Sequence, residues 1–210
     1  MEITWYGLSC FRLIDRGKAS IITDPYSSKL GLAPLKVRGD VVTISHDAPG
    51  HNFDGGVSGR RHTLSGPGEY EIGGVFITGI STIEEVGQTQ NLLFLFDFGD
   101  ITIAHLGDMS KVPTQTQTEA LEQVDVLLVP VGGGKSLNAA KAAELVSMLE
   151  PSIVIPMHFK IPKLKIDLES VDRFLKEMGV SDPGEEASLK ITSGGLPEET
   201  QVVLLTPKVK

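Results

Sequence analysis

Four polar side chains have the types and settings that could meet at a metal: His46, His51, Asp108 and His158. Neutral imidazole nitrogens and carboxylates are the ligand set that suits zinc, iron or manganese. Each of the three histidines follows, directly or within a few residues, an apolar run that reads as a β-strand. Asp108 follows the run 101–105 through Leu106-Gly107. Strand ends at one sheet edge are where α/β proteins gather ligands, because the backbone there is irregular and side chains can converge. Spacing alone leaves two readings open, a shared site or four unrelated loop residues. Of the other histidines, His62 after Arg60-Arg61 reads as exposed and ordinary. His105, at the end of its strand, reads as a hydrogen-bonding support behind the ligands rather than a ligand.

The elements that must position these residues follow from periodicity and punctuation. Runs 3–6, 11–14, 19–23 and 41–45 read as strands, followed by a polar loop over 46–59. Runs 70–72, 74–80, 92–98 and 101–105 continue the pattern with Gly-Gly or Gly-Asp turns between them. Helices belong to the second half. Thr114 with Gln117 makes a capping box for a helix through about residue 121. Ser136 or Asn138 caps a second, whose Ala142, Leu145, Val146 and Leu149 share a face before Pro151 stops it. Asp167 is the expected cap of a third, with Leu168, Val171, Leu175 and Met178 on one face and Gly179 as its stop. Apolar runs 124–131 and 153–156 read as buried strands. This is an α/β pattern, strand pairs first and then β-α-β, and without a linker it predicts one domain over 1–210.

Composition narrows the function. With 19 basic against 27 acidic residues the chain carries a formal net charge of −8, which argues against a nucleic-acid partner. The longest basic cluster, 160–165, is interrupted by Ile161, Pro162 and Leu164 and reads as a solvated loop. A single cysteine, Cys10, rules out an internal disulfide and cysteine-rich zinc modules. It lies in a buried-looking strand, where thiols are inert. The N-terminus lacks the basic and apolar regions of a signal peptide, and no run is long enough to span a bilayer. A cytoplasmic protein without membrane association is the expectation; oligomeric state is left open.

The order of motifs resembles the metallo-β-lactamase superfamily. It is carried by Asp24-Pro25 after an apolar run, Ser45-His46-Asp47-Ala48-Pro49-Gly50-His51, His105-Leu106-Gly107-Asp108 and Ile155-Pro156-Met157-His158. The branch it resembles is that of small metal-dependent hydrolases similar to ascorbate-6-phosphate lactonase, and the segment Gly66-Pro67-Gly68-Glu69-Tyr70-Glu71-Ile72-Gly73-Gly74 is also typical of its small members. The resemblance implies a four-layer αβ/βα sandwich of two packed mixed β-sheets, with the site at their shared edge and Asp24 orienting the metal loop.

Against the family's His-x-His-x-Asp-His loop, His46 and His51 stand, but the middle histidine is Ala48 and the aspartate is Gly50. A further histidine expected after the run 74–80 is absent, leaving Glu84 or Glu85 as substitutes. Leu8 in Gly7-Leu8-Ser9-Cys10-Phe11 stands where many relatives carry histidine. The bridging aspartate matches Asp108 and the last histidine matches His158. One of the family's two sites thus keeps His46 and Asp108, the other His51, His158 and Asp108. Two histidines and a carboxylate with open positions can hold one catalytic metal.

What the resemblance then implies is at most one divalent metal, zinc first with manganese or iron as options. His51, Asp108 and His158 would hold it, His46 would serve as ligand or proton acceptor, and His46 and Asp108 would be the catalytic pair. The substrate would be a small ester, lactone or phosphoester. Because the departures fall on ligand positions while the scaffold motifs remain, a non-catalytic binding or assembly module without any metal is the alternative. A smaller signal, Gly132-Gly133-Gly134-Lys135-Ser136 between a strand and a helix, invites a phosphate-loop reading but lacks the motif's first glycine, that position being Val129. A strand-to-helix turn is the expectation.

Overall fold

Short β-branched and aromatic runs cut by glycine turns build the first half of the chain. In the computed structural model, which describes residues 1–82, 90–121 and 123–208, these runs are strands. They are β1 (Glu2–Gly7), β2 (Cys10–Ile14), β3 (Ile21–Thr23), β4 (Val37–Arg38), β5 (Val41–Thr43), β6 (Val57–Ser58) and β7 (His62–Leu64). There follow β8 (Gly68–Ile72), β9 (Val75–Ser81), β10 (Leu92–Asp97) and β11 (Thr102–His105). The second half alternates α1 (Gln115–Leu121), β12 (Val126–Pro130), α2 (Ala139–Leu149), β13 (Ile153–Met157) and α3 (Asp172–Glu177). It closes with β14 (Glu185–Glu186), β15 (Leu189–Lys190), β16 (Gln201–Val202) and β17 (Leu204–Leu205).

Two large mixed sheets result, ordered β15-β1-β2-β3-β5-β7 and β16-β13-β12-β11-β10-β9-β8. This is the mixed α/β architecture that the motif order implied. Within the first sheet β3, β5 and β7 are parallel, and within the second so are β11, β12, β13 and β16. Parallel neighbours deliver their C-terminal ends to one edge. The turns after β3 and β5 therefore open together, as do those after β11, β12 and β13. Backbone bonds join the two edges: Leu92 N–H donates to Ser45 O at 2.8 Å, and His158 N–H to Leu8 O at 3.1 Å.

Every residue of β12 and β13 is buried, as parallel interior strands require. Trp5, Phe11, Ile77, Phe94 and Phe96 are among the largest fully buried side chains. Phe11 of β2 meets the ring of His105 of β11 edge to face, with centroids 6.2 Å apart, so the core runs from one sheet to the other. The Asn138 side chain caps α2 by accepting from Lys141 N–H at 3.0 Å, and the helix ends at Glu150 in the left-handed region. Gln117 Oε1 accepts from Thr114 N–H at 2.9 Å, one half of the expected capping box.

The third helix departs from expectation. It begins at Asp172, five residues after the predicted cap Asp167. Tertiary bonds explain the delay. Glu169 N–H donates to Gly132 O and Glu169 O accepts from Lys160 N–H, both at 2.9 Å. Its backbone is committed to two other segments, so a helix cannot form through it.

Candidate metal centre

A buried carboxylate organises the loop that carries the first two histidines. Asp24, at the end of β3, adopts a φ of 38° and is fully buried. Its Oδ1 accepts from Ser45 N–H at 2.7 Å; its Oδ2 accepts from Ser45 Oγ at 2.6 Å and from His51 Nδ1 at 2.8 Å. An ionised carboxylate only accepts, so His51 carries its hydrogen on Nδ1 and presents Nε2 as the free nitrogen. Burial disfavours charge on both partners, yet their attraction and hydrogen bond override it. Asp24 is held below the ordinary carboxylate range and His51 above the ordinary imidazole value. Asp24 thus supports the loop, as the resemblance implied.

Asp108 is held by a different device. Gly107, at φ +60°, turns the chain after β11; a Cβ there would fall 2.4 Å from Asn91 Oδ1 and 2.6 Å from Ser45 Cβ, so only glycine fits. Asn91 Oδ1 accepts from Asp108 N–H at 2.8 Å while its Nδ2 donates to Leu106 O at 3.1 Å. His105 completes the brace: Nε2 donates to Ser9 O at 2.8 Å and Nδ1 accepts from Gly107 N–H at 3.2 Å. It supports the turn through backbone groups rather than through a ligand imidazole. Asn91 escaped the sequence reading, since a lone asparagine before an apolar strand carries no signal of its own.

The four expected side chains do meet. His46, His51 and Asp108 each offer a ligand atom within 4.8 Å of the others. The rings of His46 and His51 lie 4.1 Å apart, centroid to centroid, and His158 lies 5.3 Å from His51. His158 Nδ1 stands 3.4 Å from Asp108 Oδ1, and His46 Nε2 is 4.0 Å from Asp108 Oδ2. The tight group contains His46, one of the four expected ligands, and His158 stands beside it against Asp108. Asp108 Oδ1 is buried and accepts no hydrogen bond among the described residues. A buried carboxylate oxygen without a donor is costly unless a cation faces it, and two or three imidazoles beside it complete a set that fits a divalent ion. Glu84 and Glu85 lie outside the described residues.

Burial holds His158 down to about 4, against the pull of Asp108, and burial together with His51 lowers His46. Both are thus neutral at neutral pH, the form that ligates metal. A stability consequence follows for the metal-free protein. Where the folded pKa is depressed, the unfolded chain takes up protons first, so stability falls as pH drops from 6.5 towards the folded value. For His158 the loss between pH 6.5 and 5 is roughly 2 kcal/mol. His51 does not mask it, because its raised pKa contributes fully throughout that window. Urea denaturation in chelator should show this slope, and His158→Gln should reduce it, the lowered His46 and His105 keeping the remainder; an unchanged slope would count against a buried neutral imidazole.

The glycine run after β12 has a packing reason. A Cβ on Gly132 would lie 2.1 Å from His158 O, and Gly133 and Gly134 have φ of +67° and +71°. Ser136 Oγ donates to Gly133 O at 2.9 Å and sits 3.4 Å from His158 Nδ1. The loop lets β12 end against the backbone of His158. Gly132→Ala is expected to cost on the order of 2–4 kcal/mol, read as a lowered urea midpoint, because backbone rather than a flexible side chain must yield.

The departures from the family pattern cluster. A Cβ at Gly50 would lie 3.6 Å from Leu30 Cδ1 and 3.7 Å from Leu8 Cδ1. The positions where the resemblance implied an aspartate and an early histidine are therefore neighbours, and both are apolar here. Cys10 is fully buried and burial pushes its thiol well up, as expected of an inert core cysteine. His62 is exposed on β7. No helix among the described residues is long and apolar enough to cross a membrane.

With this geometry in place, comparison with known proteins is direct. A model of the Beta-lactamase superfamily domain matches residues 2–158. Among solved structures, a protein of Thermotoga maritima assigned to the Zn-dependent hydrolases of the metallo-β-lactamase superfamily is 35% identical, with a TM-score of 0.80 and 97% of each chain covered. A UPF0173 protein of Pyrococcus abyssi is 29% identical over 183 residues, 76% of this chain and 83% of its own. A UPF0173 metal-dependent hydrolase of Thermoplasma acidophilum is 25% identical over 191 residues, with the same shares covered.

Proposed function

The chain belongs to the metallo-β-lactamase superfamily, and on that premise we propose that it is a hydrolase dependent on one divalent metal held by His46, His51 and Asp108 with His158 beside them. The observation that carries this reading is the buried Asp108 Oδ1, without a hydrogen-bond donor among the described residues and turned towards imidazoles that burial or a locked tautomer suits to ligation. Zinc suits two or three imidazoles and one carboxylate; manganese and iron share that preference. Such an ion supplies Lewis-acid polarisation of a carbonyl or phosphoryl oxygen and acidifies water.

The chain's own residues do the rest. Asp24 fixes the His51 ring; Asn91 and His105 hold the turn that aims Asp108. His46, partly exposed and kept neutral, has its Nδ1 3.0 Å from Ser45 Oγ, so its Nε2 either ligates the ion or, where His158 takes the ligand place, accepts a proton. With Gly50 in place of the family's aspartate, His46 and Asp108 are the catalytic pair. The names of the relatives support a small-molecule substrate, and the chemistry fits an ester, lactone or phosphoester.

The apolar pair Leu8 and Gly50 favours a second reading, a binding module that has given up catalysis. Metal content separates the two. Protein purified without a histidine tag should carry about one equivalent of metal by mass spectrometry and cleave a member of an ester, lactone and phosphoester panel. His158→Ala should lower both. Less than about a tenth of an equivalent after growth in metal-supplemented medium leaves the binding module standing.

A further inference from the structure

Beside the metal centre lies a cavity of about 500 Å³ that none of His46, His51, Asp108 or His158 lines. Its wall is apolar and buried: Trp5, Leu32, Phe159, Ile161, Leu204 and Leu205. Its rim carries Lys160 and Lys163, both exposed and without an ion-pair partner among the described residues. Among the described residues Glu185 is the one acidic residue lining it, and its Oε2 accepts from Thr206 Oγ1 at 3.4 Å. Two ammonium groups against one carboxylate leave a single net positive charge at the mouth of an apolar pocket, in a chain whose formal charge is −8. The interrupted basic run 160–165 acquires a reason: Ile161 and Pro162 line the cavity while the lysines on either side of them stand at its rim.

We propose that this cavity binds a small amphiphile with an apolar body and one anionic group, of the medium-chain carboxylate class. The volume falls within the range of small-molecule pockets, and the lining has their usual make-up of apolar wall and few charges. One net positive charge matches a monoanion, and Glu185 disfavours a more highly charged head. The wall is also tied to the metal centre. Leu8 O accepts both from Trp5 Nε1 at 2.9 Å and from His158 N–H at 3.1 Å, and the Trp5 ring lies 5.0 Å from that of Phe159. The proposal stands on the cavity and does not require a metal.

Trp5 is the sole tryptophan, so its emission reports on the pocket directly. Titration of the full chain with decanoate below its micelle range should give a saturable spectral shift, with or without chelator. Lys160→Gln combined with Lys163→Gln should weaken binding roughly tenfold, and decyltrimethylammonium should bind at least about tenfold more weakly than decanoate. Ala33→Phe, which fills the lining, should abolish the shift; if it does not fold, the lysine variant decides, since both its sites are exposed. Absence of a saturable shift, equal binding of the cationic amphiphile, or unchanged affinity in the lysine variant would each overturn the proposal.

Discussion

Asp108→Asn is expected to leave the chain folded while reducing its affinity for zinc by at least about 100-fold. Removing a hydrogen-bonding partner behind a metal ligand already costs about 10–100-fold, and here the carboxylate that the tight group contains among the described residues loses its charge. Stability should move the other way. Asp108 Oδ1 has no donor among the described residues, and asparagine replaces a buried charge with a neutral group of the same shape, able to donate towards His158 Nδ1 3.4 Å away. In chelator, the urea midpoint of the variant should equal or exceed that of the parent. Competition titration with a zinc-sensitive dye gives the affinity. Retention of metal at the parental level would remove Asp108 from the site and, with it, the proposed hydrolase.

The second large effect belongs to Asp24→Asn. The amide keeps the volume but cannot accept all three hydrogen bonds that the carboxylate takes from Ser45 N–H, Ser45 Oγ and His51 Nδ1. Breaking a buried ion pair from one side costs about 3–5 kcal/mol, and the retained oxygen places this variant towards the lower end. The sign of its pH dependence follows from the two shifts. The lowered pKa of Asp24 contributes stability above the ordinary carboxylate range, lost as pH falls through the folded value. The raised pKa of His51 contributes below the ordinary imidazole value and is lost as pH rises through the folded one. The gap between parent and variant in chelator should therefore be widest between about pH 4.5 and 6.5 and narrow on both sides. Zinc affinity should also fall about 10–100-fold, because the His51 ring is no longer held. A gap independent of pH would show that Asp24 acts by shape rather than charge.

How much of this could be read before folding differs by residue. The ligand types were legible, because His46, His51, Asp108 and His158 all stand in turns after strands, and turn and strand signals are local. So were α2 and its cap Asn138, where an i, i+3, i+4 face and a stop at Pro151 depend only on neighbours along the chain. The start of α3 was not. Bonds from Glu169 to Gly132 and Lys160 overrode a good local cap, and nothing within the segment announces partners so far away.

The sequence by itself determined the order of strands and helices and the chemistry of the four side chains. Both are properties of residue type and short spacing. Only the tertiary structure decided which of the four stand closest, since His46 and Asp108 are separated by 62 positions and meet because parallel strands of two sheets end at one edge. It also decided the supports. Asn91, Ser136 and Gly132 matter through what lies across from them: a backbone amide, an imidazole and a carbonyl, each contributed by another turn. Convergence is a long-range property, and local patterns carry no record of the distance it must close.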